Sequence, residues 1–231
     1  MKEWKPRTAL GKKVMSGEIS SIDQIFAAGI KIKEPDIVDK LLPNLTSVVM
    51  HIGGSPGKGG GIRRTPTRRT ARMHRSGRRY KISAMVIVGC NGYVGVGKSQ
   101  SNEHSVAIDK ATQAAKLNII PVRKGCGSWE CVCGGAHSIS MIAEGSSGSV
   151  TVRLIPAPKG IGLCIGDEAK KILRIAGISD IWSKCFGKSR TRVNYILAVI
   201  AAMKNLNKQR TKDVAEELAE EKTIGEEVEQ P

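Results

Sequence analysis

Residues 75–98 read RSGRRYKISAMVIVGCNGYVGVGK, and two turn signals in that stretch decide the fold. Ser76-Gly77 is one two-residue hairpin signal and Asn91-Gly92 is the other, because these residues tolerate the backbone angles of tight turns. Between the turns, residues 80–88 form an apolar, β-branched strand. Beyond the second turn, residues 93–97 form a glycine-rich third strand. Upstream, residues 67–73 alternate as a strand that pairs back on it. Downstream, Val106, Ile108, Ala111, Ala114, Ala115 and Leu117 recur at mostly helical spacing over residues 104–117. The order is β-β-β-α, a three-stranded antiparallel sheet with a helix, and a basic hairpin is presented at one end.

The hairpin sits in the most basic part of the chain. From Lys58 to Lys81 there are ten Lys or Arg and no acid. Arg63, Arg64, Arg68, Arg69, Arg72, Arg75, Arg78, Arg79 and Lys98 are candidate contacts to RNA phosphates. Gly77, Gly92, Gly95 and Gly97 are candidates to let an RNA backbone come close, since glycine in a strand marks such an approach, and Tyr93 beside them is a candidate RNA contact. The glycine-rich segment 53–61 cannot pack and reads as a mobile loop. Together with the run 63–72 it is expected to order on RNA.

Further from the hairpin, residues 20–29 and 34–42 read as two short helices of an N-terminal extension, 1–45. The β-β-β-α domain spans 46–120, a Cys/Gly-rich connector 121–148, and a C-terminal α/β domain 149–208. The last of these reads β-α-β-α: a strand at 150–155, a helix at 167–176 stopped by Gly177, a strand and loop at 178–186, and the longest helix at 191–206. Residues 209–231 are acidic and expected to be disordered. The fold class is α+β, with the first domain followed by a small β-α-β-α domain.

Composition points to the partner. There are 37 Lys plus Arg against 21 acidic residues, a net charge of +16. Eight of the acids lie in residues 211–231; the remaining 210 residues carry 35 basic against 13 acidic residues, or +22, which calls for a polyanion. Only eight residues are aromatic, too few for a platform of stacked bases. Backbone and shape recognition is left. No apolar run approaches the roughly 20 residues of a membrane span, no signal peptide is read at the start, and six cysteines read as reduced thiols or metal ligands. A cytoplasmic protein is expected.

Residues 92–99, GYVGVGKS, fit the phosphate-loop pattern GxxxxGK[ST]. A nucleotide triphosphatase is therefore a rival reading, but that loop needs a strand before its first glycine and a helix at its lysine. Here a hairpin turn occupies the first position and a strand the second, and the helix starts several residues late. Nothing catalytic is assigned.

Cys126, Cys131, Cys133 and His137 form a candidate zinc site, three thiols and an imidazole within twelve positions. The spacing C-x₄-C-x-C-x₃-H departs from the usual paired pattern. The other reading is of small buried thiols with His137 on RNA.

Residues 75–80, 86–89 and 91–98 resemble the signature of the universal small-subunit ribosomal protein five family. Residues 153–162 and 172–178 resemble its second domain. The motif 126–133 and the N-terminal helices resemble the archaeal branch, and the resemblance covers residues 4–206. It implies a first domain of the double-stranded-RNA-binding type and a small α/β sandwich with a left-handed crossover. It also implies a place at the neck of the small subunit, binding to small-subunit ribosomal RNA, and neighbours among small-subunit proteins four and eight. Assembly, decoding accuracy and head–body stability are the implied roles. No cofactor is required for them, with structural zinc as the one candidate, and no membrane or small-molecule substrate is involved. Pro158, Lys159 and Gly160 are candidates for a protein interface, Lys159 for RNA instead. Segment 53–61 and the acidic tail fall outside the family pattern. A non-ribosomal double-stranded-RNA-binding regulator remains the alternative.

Overall fold

The computed structural model describes residues 4–208, so the acidic segment 209–231 lies outside the described residues. Three short helices open the chain: α1 (Ala9–Ser16), α2 (Ile22–Ala27) and α3 (Pro35–Leu41). The sequence reading missed α1, although it carries clear signals. Thr8 Oγ1 accepts from the Gly11 amide at 3.0 Å and Gly17 at φ 87° stops the helix. In α2, Ser21 occupies the cap position without a side-chain bond. Leu10, Val14, Ile25 and Ile37 give the three helices a small core of their own.

The first sheet is larger than expected. It contains β1 (Thr46–Val49), then β4 (Thr67–His74), β5 (Gly77–Cys90) and β6 (Tyr93–Ser101), and, after α4 (His104–Leu117), β7 (Ile119–Pro121). All pairs are antiparallel, with β5 central: β6 runs along one edge, while β4 and β1 share the other. The predicted three strands and helix are present, and two short strands extend them. The first turn lies one residue earlier than read, because His74 pairs with Gly77 and leaves Arg75 and Ser76 at the tip.

Segment 53–61 differs more. β2 (Gly53–Pro56) pairs antiparallel with β3 (Ile62–Thr65), so the expected mobile loop is a hairpin. Ladder hydrogen bonds hold it rather than a core. The Gly57 amide donates to the Gly61 carbonyl at 2.7 Å, Gly60 turns at φ 79°, and Thr65 Oγ1 reaches the Thr67 carbonyl at 2.9 Å.

The second sheet has the order β10-β11-β9-β8, from β8 (Ala143–Ser147), β9 (Val150–Pro156), β10 (Leu163–Cys164) and β11 (Ile181–Gly187). Its first strand lies inside the segment read as connector. Helix α5 (Asp167–Ala176) joins β10 to β11, a parallel pair, and α6 (Arg192–Asn207) covers β8 and β9. Period-two alternation sorts the first sheet between two covers. Val86 and Val88 meet Ala107, Ala111 and Ala115 of α4, while Met85, Ile87, Val94 and Val96 face Ile172, Leu173 and Ala176 of α5. A buried ion network reinforces the junction: Glu168 accepts from the His51 amide at 3.3 Å, from Arg192 at 3.1 Å and from Lys171 at 3.2 Å.

Candidate nucleic-acid interface and Cys/His centre

Strand β6 supports β5 only as far as the pair Ile82 and Ser101, so β4 and β5 run on alone to the tip. That arm projects about 20 Å at the usual strand rise. Residues 68–76 and 78–81 are exposed on both faces. Arg68, Arg69, Arg72, Arg75, Arg78, Arg79 and Lys81 lie on it, and none makes an ion pair among the described residues. Arg72 stands directly opposite Arg79 in the ladder. Like charges so placed repel, and a polyanion would relieve the repulsion. Two guanidinium groups are oriented by one ring: Arg69 lies 4.6 Å and Arg78 5.6 Å from the Tyr80 centroid. Arg63 and Arg64 are exposed on β3.

At the arm's root a cleft of about 800 Å³ opens between the first sheet, the hairpin of β2 and β3, and the start of α6. Arg68, Arg69, Lys98, Arg190 and Arg192 line it, with no acid among the described lining residues. Arg190 was missed by the sequence reading; it lies 92 positions beyond Lys98 in the chain, and the fold brings it there, with neighbouring Arg192 donating to the His51 carbonyl at 2.8 Å.

Of the residues read as RNA contacts, Gly95 and Gly97 turn inward, and the half-buried Gly92 and Tyr93 are tied to neighbouring elements. Gly95 and Gly97 are buried beneath α4, and a Cβ on either would overlap helix backbone at Ala115 or Ala111. Gly92 is tied at both ends, its amide to the Ala176 carbonyl at 3.1 Å and its carbonyl to the Val122 amide at 2.7 Å. The Tyr93 hydroxyl donates to Asp23 at 2.6 Å, and its ring stacks on Phe26 at 6.2 Å. Burial first, then Asp23, pushes the Tyr93 hydroxyl well above the usual tyrosine range, so it stays protonated. These four hold α4, α5 and the N-terminal helices on the sheet. Tyr93→Phe should therefore lower stability by about 1 kcal/mol, the usual worth of one hydrogen bond. A urea titration measures this, with RNA affinity unchanged; a drop in affinity without a drop in stability would return Tyr93 to the binding surface.

Lys98 and Ser99 lie within β6 and α4 begins five residues later, at His104. The strand–loop–helix arrangement a phosphate loop needs is absent there.

The four candidate zinc ligands do meet. Their donor atoms all lie within 4.8 Å of one another. Cys126 Sγ and Cys133 Sγ are 3.5 Å apart, and Cys131 Sγ lies 3.7 Å from His137 Nε2. Tetrahedral zinc with thiolate and imidazole ligands has donor–donor edges of about 3.5–3.8 Å, so the donor set fits. The single-residue gap is accommodated without a strand, because residues 126–136 are irregular. The Cys131 thiol is pulled down to about 6, chiefly by its hydrogen bond with Cys133 and by the Lys159 amide, while burial first pushes Cys126 up to about 11.

Behind the site stands Asp180, which the sequence reading overlooked. His137 Nδ1 is 2.9 Å from Asp180 Oδ2. Burial raises the Asp180 carboxyl, but the donors Gly162, His137, Gly160 and Ser179 outweigh it and hold its pKa below the ordinary value. An ionised Asp180 makes Nδ1 the protonated nitrogen and leaves the Nε2 lone pair toward the thiols. One signal was available: Asp180 is the sole acid between Glu168 and Asp213. In the candidate interface loop, Lys159 and Gly160 are exposed and Pro158 is half-buried.

Residues 66–123 match the family described as ribosomal protein S5, N-terminal domain, and residues 145–218 match ribosomal protein S5, C-terminal domain. Among curated relatives, the small ribosomal subunit protein uS5 of Thermofilum pendens is 48% identical over 203 residues, covering 87% of this chain and 93% of that protein. The protein of the same name from Methanocaldococcus jannaschii is 46% identical over 210 residues, covering 90% of each. That of Methanoregula boonei is 48% identical over 210 residues, covering 90% of this chain and 95% of the relative.

Proposed function

The chain belongs to the ribosomal protein S5 family, and from that premise we propose that it is a structural component of the small ribosomal subunit that grips ribosomal RNA with its cationic arm. The family is not an enzyme family. The observation that carries the RNA reading is the arm, seven cations without acidic partners among the described residues, on a ribbon exposed on both faces. A ribbon of this kind contacts phosphates rather than reading base edges, so its affinity is set by counterion release. On this reading the protein is cytoplasmic and ribosome-bound. It supports assembly, head–body stability and accuracy, with small-subunit proteins four and eight as neighbours. The loop 158–160 is offered to one of those proteins, and Arg63 and Arg64 extend the RNA surface from β3. No cofactor is required for RNA binding, and a zinc ion held by Cys126, Cys131, Cys133 and His137 would be structural.

Arg78→Ala tests the assignment. It should flatten the log–log salt dependence of RNA binding by about one unit, at about 0.9 per phosphate contact on a duplex. An unchanged slope removes Arg78 from the interface. In cell lysate the protein should sediment with the small subunit on a sucrose gradient, whereas the regulator reading requires it at the top.

A further inference from the structure

We propose that zinc at Cys126, Cys131, Cys133 and His137 works as a latch, with Asp180 as its second half, fastening the 126–137 loop to residues 157–162 of the second domain. The inference rests on the zinc reading of those four residues and adds what the ion does.

The loop lacks the means to fold by itself. From residue 126 to residue 137 the only buried side chain is Ser128, while Trp129 is 88% and Val132 101% exposed. A twelve-residue loop that buries no apolar side chain must be ordered by something other than a core. Three thiols and an imidazole converging within 4.8 Å supply the alternative. Metal binding by such a set supplies folding free energy directly.

Asp180 carries that order across. Its Oδ2 atom receives His137 Nδ1 at 2.9 Å, the carboxylate–histidine pairing that fixes a ligating imidazole. Its Oδ1 atom receives the amides of Gly162 at 2.8 Å and Gly160 at 3.1 Å. One carboxylate thus holds the metal-ligating ring with one oxygen and the loop backbone with the other. Three further bonds follow the same route. The His137 carbonyl accepts from the Ser179 amide at 3.0 Å and the Asp180 amide at 3.2 Å, and Ser138 Oγ accepts from the Ala157 amide at 3.2 Å. Gly160 and Gly162 sit at φ 99° and 76°, so this backbone path is one that few other residues could follow. When the ion leaves, His137 loses its partner on Nε2, and the loop on its far side loses the group that fixed Asp180.

The full-length protein, dialysed against a weak chelator, should retain about one zinc per chain by elemental analysis. Cys131→Ser should lose it. Cobalt(II) in place of zinc should give the visible absorption of a tetrahedral thiolate site. Asp180→Asn should keep the fold but weaken zinc binding by about 10- to 100-fold, the usual effect of losing an outer partner. Hydrogen exchange then reads the latch: amides in residues 157–162 should exchange at least about tenfold faster after a strong chelator strips the wild type, and recover when zinc returns. Recovery separates latch opening from misfolding in the variants. Wild type without zinc or a cobalt spectrum overturns the metal reading itself. Zinc-loaded wild type whose 157–162 amides ignore stripping overturns the latch and leaves the metal site standing.

Discussion

Replacing Arg72, Arg75, Arg78 and Arg79 together by Ala should weaken RNA binding about a thousandfold near 0.15 M salt. Four phosphate contacts at about 0.9 each remove some 3.6 units from the salt slope, and at that salt each contact is worth roughly 0.7–0.8 log units. The fold should survive, because these side chains lie beyond the last pair between β5 and β6 and bury nothing. Removing the opposed pair Arg72 and Arg79 should even relieve a local repulsion. Filter binding across a salt series, with a thermal melt of each protein, measures both. A folded variant with an unchanged slope would move the RNA surface away from the arm. The cleft at the arm's root would then be the next place to look, and Arg190→Ala should flatten the slope there by about one unit.

The arm was legible in the sequence because every signal for it is local: two turn dipeptides, alternation, and a run of ten cations without an acid. Short strands were not legible. β1, β7 and β8 have three to five residues each and exist by pairing with a longer neighbour, which no window of sequence displays. The hairpin of β2 and β3 was hidden by its glycines, whose usual meaning is freedom; here they extend and pair. The Cys/His centre was half legible. Residue types gave the donor set and spacing argued against it, but spacing rules assume a regular scaffold and residues 126–136 have none. Asp180 lies 43 positions from His137, so only the fold brings the outer half of that site into view.

The glycines of β6 show where reading by residue type runs out, and they set the most damaging single substitution. Glycine in a strand marks close approach of a backbone, and the sequence cannot say whose. Register settles it: Gly95 pairs with Val88 and Gly97 with Val86, and both valines belong to the cluster under α4. The approaching backbone is therefore the helix, whose Ala111 and Ala115 present fully buried methyl groups to the same spot. A Cβ at Gly97 would overlap the Ala111 carbonyl oxygen and the Ala115 amide nitrogen. Neither atom is the end of a flexible side chain, so α4 must lift along several residues. Gly97→Val should cost about 3 kcal/mol or more, the upper part of the range for overpacked cores. For a chain of this size that lowers the melting temperature by about 6–12 °C. Among molecules that remain folded, the salt slope of RNA binding should match wild type, because Gly97 offers no surface to a ligand. A variant that melts normally but binds RNA weakly would show that the glycine admits RNA after all, and would require α4 to stand further from β6 than its contacts place it.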